Sequence, residues 1–245
     1  MKKIPELTAL FWITKICATT LGETAGDLFS MTLNIGYALS SIVLISFFLI
    51  LLAIQLFFKK YIPTVFWLVI LATSTAGTTM SDYMDRTIGF GYAKGSLVLI
   101  LLLIAILSLW RYTERSLSIT NIKSHRAELF YWTAILVSNT LGTALGDYLA
   151  DDSGLGFGWS ALGIGILLLL LILAKYFTSI STVLLFWIAF ILTRPFGATF
   201  GDLLTKSSLK GGFDFGTKGA SLLLFLILMV LIIYESTQLK EMKFE

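Results

Sequence analysis

Four aspartates, Asp27, Asp82, Asp147 and Asp202, each close a run of small and hydroxyl-bearing residues in stretches otherwise short of charge. Each follows a glycine by five residues and a tryptophan by fifteen: Gly22 and Trp12, Gly77 and Trp67, Gly142 and Trp132, Gly197 and Trp187. Side chains four apart share one face of a helix, so the chemistry extends backwards from each acid. The stripes read Lys15, Thr19, Glu23 and Asp27; Ser74, Thr78 and Asp82; Asn139, Thr143 and Asp147; and Arg194, Ala198 and Asp202. Oxygen donors of this kind suit hard cations such as magnesium, manganese, calcium or alkali ions. The single histidine, His125, and the single cysteine, Cys17, offer no zinc or copper cage and no intramolecular disulfide. The expected site therefore has Asp27, Asp82, Asp147 and Asp202 as metal ligands. Glu23, Thr19, Thr78, Asn139, Thr143 and Arg194 are further ion or substrate contacts, and no cofactor is expected.

The stripes hold five acids against two bases, a balance that attracts cations. Lys15 and Arg194 read equally well as counter-ions to buried carboxylates. Glu23 occurs only in the first stretch and Arg194-Pro195 only in the last, an asymmetry, with an expected kink at the proline, that suits one substrate site. A neighbouring threonine stripe, Thr20, Thr24, Thr75, Thr79, Thr140 and Thr199, is expected to face inward as well.

The elements that carry these residues follow from composition. A chain of 245 residues that is 57% hydrophobic and 13% charged, with mean hydropathy +0.88, has too much apolar surface for one soluble core, since soluble chains carry about 25% charge. It reads as an all-α integral membrane protein. Spans of about twenty residues are expected at 8–30, 36–58, 62–84, 92–110, 128–150, 158–174, 181–204 and 219–235. The Met1-Lys2-Lys3 start is not read as a secretory signal, because Lys15, Glu23 and Asp27 interrupt the run behind it and the same segment recurs three more times.

The tryptophans recur with periods of 55, 65 and 55, which divides the chain into repeats 8–60, 62–112, 127–176 and 181–237 and into halves 1–110 and 126–245 of one transmembrane domain. Each repeat forms a helical hairpin, so the four point the same way, pseudo-two-fold or pseudo-four-fold about the membrane normal. Gly22/Gly26, Gly77/Ser81, Gly142/Gly146 and Gly197/Gly201 are small pairs that let helices approach. The even spans are apolar all round and are expected to face lipid. Eleven basic residues in the loops on one side, Lys2, Lys3, Lys59, Lys60, Arg111, Arg115, Lys123, Arg126, Lys175, Lys240 and Lys243, stand against five, Arg86, Lys94, Lys206, Lys210 and Lys218, on the other. The positive-inside rule then places both termini in the cytoplasm. Aromatics beside glycines after each aspartate, Tyr37, Phe90, Tyr92, Phe157, Trp159, Phe213 and Phe215, read as interfacial anchors, and Asp85, Asp151 and Asp152 as acids at the mouth.

Four tandem two-helix units, each with a tryptophan and a G-x-x-x-[GS]-D ending, resemble the bacterial membrane proteins made of four copies of a repeat of unknown function. The resemblance implies eight spans in a bacterial inner membrane and supplies no mechanism. From the residues, the expected function is a proton-coupled secondary transporter of a hard cation, most simply divalent, such as manganese or magnesium. The alternatives are a pseudo-tetrameric cation channel with an aspartate ring, an organic-cation exporter and a non-transporting sensor. No enzyme is expected: the G-x-G-D of intramembrane aspartyl proteolysis is not matched by the spacing here. The expected partners are membrane lipid, the cation and protons, with no nucleic acid and with homo-oligomerisation left open.

Overall fold

The computed structural model describes residues 5–58, 60–118, 122 and 124–241, and the regular structure among them is helical throughout. Eight long helices follow in order: α1 Ala9–Asp27, α2 Tyr37–Phe57, α3 Pro63–Asp82, α4 Tyr92–Glu114, α5 His125–Asp147, α6 Gly156–Phe177, α7 Thr182–Thr205 and α8 Gly216–Glu241. Of the basic residues counted for orientation, Lys2, Lys3, Lys59, Lys123 and Lys243 lie outside the described residues. Local chemistry sets the helix starts. Thr8 and Ser124 accept from the N–H of Phe11 and Ala127, at 3.3 and 2.9 Å, and Pro63 opens α3, where its missing N–H has no partner to lose. At the start of each even helix the chain turns through a glycine with φ between 72° and 82°, Gly36 and Gly91 just before α2 and α4 and Gly156 and Gly216 as the first residues of α6 and α8, a conformation that other residues resist.

The odd helices form a closed ring in which α1 packs on α3, α3 on α5, α5 on α7 and α7 on α1. The expected hairpins do not pack as hairpins. Each even helix lies chiefly against the odd helix of the next repeat: α2 on α3, α4 on α5, α6 on α7, and α8 back on α1. A short connection dictates sequence neighbours, whereas packing follows the apolar groove that the next odd helix offers.

The glycines explain how close the ring is drawn. A methyl group on Gly77 would lie 2.9 Å from the Thr140 amide nitrogen, and one on Gly197 would lie 2.8 Å from the Thr19 hydroxyl. Gly22 and Gly142 take Ser74 and Arg194 into the same notch. In every repeat the glycine five residues before the aspartate receives the side chain or backbone of the following repeat, so the packing role expected for these pairs holds.

At the tryptophan end the ring is filled by aromatic pairs. Phe11 meets Trp67, Phe66 meets Trp132 and Phe186 meets Trp12, with ring centroids 5.5, 5.6 and 5.9 Å apart. Trp67 also donates from Nε1 to Glu235 of α8 at 2.7 Å, and the same carboxylate accepts from the Tyr61 hydroxyl at 2.7 Å. Glu235→Ala strands a fully buried indole N–H, so a loss of about 1.5–3 kcal/mol is expected, the range for hydrogen bonds to charged groups. Thermal unfolding in detergent against the Glu235→Gln variant, which keeps an acceptor, checks it.

Six helices, α2, α3, α4, α6, α7 and α8, are long and apolar enough to cross a membrane. The remaining two, α1 and α5, carry Lys15, Glu23 and Asp27, and His125, Arg126, Glu128 and Asp147. Both belong to the inner ring, where Lys15, Glu23, Asp27, Glu128 and Asp147 are buried, while His125 and Arg126 at the start of α5 are exposed. The even helices turn large apolar side chains outward, as α2 does with Ile42, Phe47 and Ile50.

Candidate functional site

The four aspartates lie at one level of the ring, and none caps a helix end. After Asp27, Asp82 and Asp147 the chain continues helically through π turns, Leu28–Thr32, Tyr83–Thr87 and Tyr148–Asp152, and none of the three makes a side-chain cap bond. In the fourth repeat α7 runs unbroken through Pro195 and past Asp202 to Thr205. The added turn is decisive, because it lengthens each stripe by one side chain, Met31, Arg86, Asp151 and Lys206.

Two of those side chains are basic. Arg86, four residues beyond Asp82, sets Nε 2.8 Å from Asp82 Oδ1 and NH2 3.2 Å from Asp147 Oδ2. Lys206, four beyond Asp202, sets Nζ 3.1 Å from Asp202 Oδ1 and donates to Asp27 Oδ2 at 2.6 Å. Each base thus joins the acid of its own repeat to the acid of a neighbouring one. Burial alone would lower the pKa of Lys206, but Asp202 and Asp27 outweigh it and hold the ammonium above its ordinary range. The Arg86 guanidinium also lies 5.6 Å over the Tyr92 ring and approaches the Tyr37 hydroxyl at 3.5 Å.

One turn deeper is a second charged group. Arg194 reaches from α7 across the ring: NH1 donates to Glu23 Oε2 at 3.0 Å, and NH2 donates to Thr78 and Thr143 at 2.5 and 2.7 Å and to the Ser74 carbonyl at 3.3 Å. Both hydroxyls also lie within 3.4 Å of Glu23 Oε2. Arg194 therefore touches all three other ring helices and is itself inaccessible to solvent. Of the two roles read for it, the counter-ion role is the one the geometry shows.

The remaining expected residues divide. Glu23, Asp147 and Asp202 converge, each offering a carboxylate oxygen within 4.8 Å of the others, all three buried. Asp27 and Asp82 stand beside them, held by Lys206 and Arg86. Thr78 and Thr143 belong to the Arg194 network. Thr19 and Asn139 do not reach it: Thr19 bonds to the carbonyls of Lys15 and Thr193 at 3.0 and 3.3 Å, and Asn139 donates to Thr73 at 2.9 Å, each within a helix contact. The second threonine stripe is likewise absorbed, with Thr20, Thr75, Thr140 and Thr199 bonded to carbonyls of their own helices.

Lys15 is fully buried 3.9 Å over the Phe190 ring, and its ammonium has no hydrogen-bond partner among the described residues. Eight residues separate it from Glu23, or about 12 Å of helix, so it is not that acid's counter-ion. Asp85 is not at the mouth: it is buried, accepts from Ser81 at 3.2 Å and packs where Gly95 leaves room at the start of α4. Tyr37, Tyr92 and Phe157 turn inward, while Phe90, Trp159, Phe213 and Phe215 are exposed as anchors require.

Residues 10–61, 65–116, 130–181 and 185–238 each match the Repeat of Unknown Function (DUF347), and each stretch opens two residues before its tryptophan. The chain belongs to this family. No curated protein and no solved structure matches it. Four DUF347 repeats in tandem thus supply one ring helix apiece, and the charged centre draws on all four. Arg86 and Lys206 are the members that the sequence reading assigned to loops. Their signal was present, since both extend an acid stripe by four residues, but it is legible only once the helix is known to run past the aspartate.

Proposed function

We propose that this protein is a secondary transporter of eight spans for a hard divalent cation such as manganese or magnesium, exchanged against protons. The observation that supports it most is the convergence of Glu23, Asp147 and Asp202 inside the ring. Buried carboxylates are retained at this density where an ion or proton path needs them, because each costs several kcal/mol to desolvate. An all-oxygen donor set of this kind selects hard cations. Neither His125, at the start of α5, nor Cys17, whose thiol meets the Leu224 carbonyl, is near enough to change that choice. Carboxylates bind metal only when deprotonated, so loading the ion releases protons and exchange follows from the ligand chemistry.

The exposed apolar faces of the even helices support an outer layer against lipid, with the polar ring enclosed. The loop charges support both termini on the cytoplasmic side of a bacterial inner membrane. A continuous pore is the weaker reading, since Arg194 and the aromatic pairs occupy the ring interior. The test is flux of manganese and magnesium into proteoliposomes. Asp147→Asn and Asp202→Asn are expected to reduce it to the level of empty liposomes while the protein stays monodisperse, and undiminished flux in both would remove the carboxylate site from consideration.

A further inference from the structure

At the carboxylate end five buried acids face three bases, and the bases are not evenly shared. Glu23 has Arg194, Asp82 has the Arg86 Nε, and Asp27 has the shorter of the two Lys206 contacts. Asp147 and Asp202 have only the second, longer reach of a base that already serves another acid, 3.2 Å from Arg86 and 3.1 Å from Lys206. Those two acids are also members of the converging group with Glu23. The bases themselves are the accessible part of the arrangement, with side chains 32% and 20% exposed above carboxylates that are 2–5% exposed.

Resting on the transporter reading, we infer that Arg86 and Lys206 are specificity-determining clasps that stand in for the cargo in the empty protein and set its charge at two. When an ion arrives, Arg86 keeps Asp82 and Lys206 keeps Asp27, while both release their second acid and any proton held on Asp147 or Asp202 leaves. Asp147 and Asp202 then carry two uncompensated negative charges, which one divalent cation neutralises and one monovalent cation does not. Glu23 stays neutralised by Arg194 and offers an oxygen without adding charge.

The clasps also lie at particular seams. Asp82 and Asp147 face each other across the contact of α3 with α5, and Asp202 and Asp27 across the contact of α7 with α1. These are the two contacts of the inner ring that join residues 1–110 to 126–245, which the packing of α4 on α5 and of α8 on α1 also joins. At the other end of the same seams the contacts are aromatic, Phe66 with Trp132 and Phe186 with Trp12. Release of the second acid therefore loosens these two ring seams at the carboxylate end alone, which is the kind of movement alternating access requires.

The test is manganese binding to the purified full chain by isothermal calorimetry, with sodium as competitor. Removing a competing tethered charge should tighten binding by about tenfold or more, as close charge pairs are worth. Arg86→Gln/Lys206→Gln is therefore expected to bind manganese at least tenfold more tightly than the parent, and sodium, which should not compete in the parent, is expected to compete in the variant, where Asp82 and Asp27 have lost their bases as well. A purely structural role predicts weaker or unchanged binding. Arg86→Lys is the companion variant should the double variant fail to fold: it keeps the charge but loses the fork that spans two carboxylates, and it too should tighten binding. Manganese binding by the parent with equal or weaker binding by the folded variants would overturn the clasps and leave the transporter reading standing. No binding of manganese, magnesium or calcium by any of them would overturn both.

Discussion

Arg194→Met is expected to destabilise the protein by about 3–5 kcal/mol, the cost of leaving one member of a buried ion pair without the other. Glu23 is the stranded charge: it has lost the 3.0 Å contact to NH1 and keeps only the Thr78 and Thr143 hydroxyls, at 3.2 and 3.4 Å, which have themselves lost the NH2 donor. Arg194→Lys is not a mild change either, because one ammonium cannot span Glu23, two hydroxyls and the Ser74 carbonyl in the plane the guanidinium fills. The double variant Glu23→Met/Arg194→Met should recover much of the stability, since apolar side chains of similar volume often replace a buried pair without loss. It should not recover cation flux. Thermal unfolding in detergent with a parallel flux measurement checks both, and an Arg194→Met protein that melts with the parent would show that the pair does not hold the ring together.

Gly77→Val tests the ring from the packing side. The nearest atoms to an added methyl at Gly77 are the Thr140 amide nitrogen at 2.9 Å and the Asn139 carbonyl carbon at 3.0 Å, both backbone, so no rotamer change relieves the clash and α3 must move away from α5. A loss at or beyond the upper end of roughly 1–3 kcal/mol is expected, the range for overpacked cores. Gly163 of α6 is the control, because nothing lies within 4 Å of a methyl there. Gly163→Ala should gain up to about 1 kcal/mol from helix propensity. Comparable melting of Gly77→Val and the parent would mean that α3 and α5 are not held as closely as the glycine spacing requires.

Much of this arrangement was legible beforehand because helical geometry is local. The spacing of ten and fifteen residues from Trp12 to Gly22 and Asp27 places aromatic, small and acidic side chains at fixed heights, and four copies in tandem place them at the same heights in four helices. From that alone come the eight helices, the close approach at the glycines, and a polar interior ending in four carboxylates. The aromatic partners Phe11, Phe66, Tyr131 and Phe186, one residue before each tryptophan, were equally visible as a repeat, although only packing shows that three of them touch the tryptophan of a neighbouring repeat.

What the chain alone could not reveal is which side chain meets which across the ring. Periodicity reports height and facing along one helix, whereas an ion pair between helices depends on their lateral order and on where each helix stops. The ring order, with every even helix displaced onto the next repeat, put Arg194 of the last repeat beside Glu23 of the first and Lys206 beside Asp27. The π turns after Asp27, Asp82 and Asp147 carried the stripes one turn further than a helix ending at the aspartate allows, and so turned Arg86 from a loop charge into a partner of Asp147. Residue types and heights are properties of each repeat taken singly, but the sharing of five acids among three bases exists only where four helices close on one another.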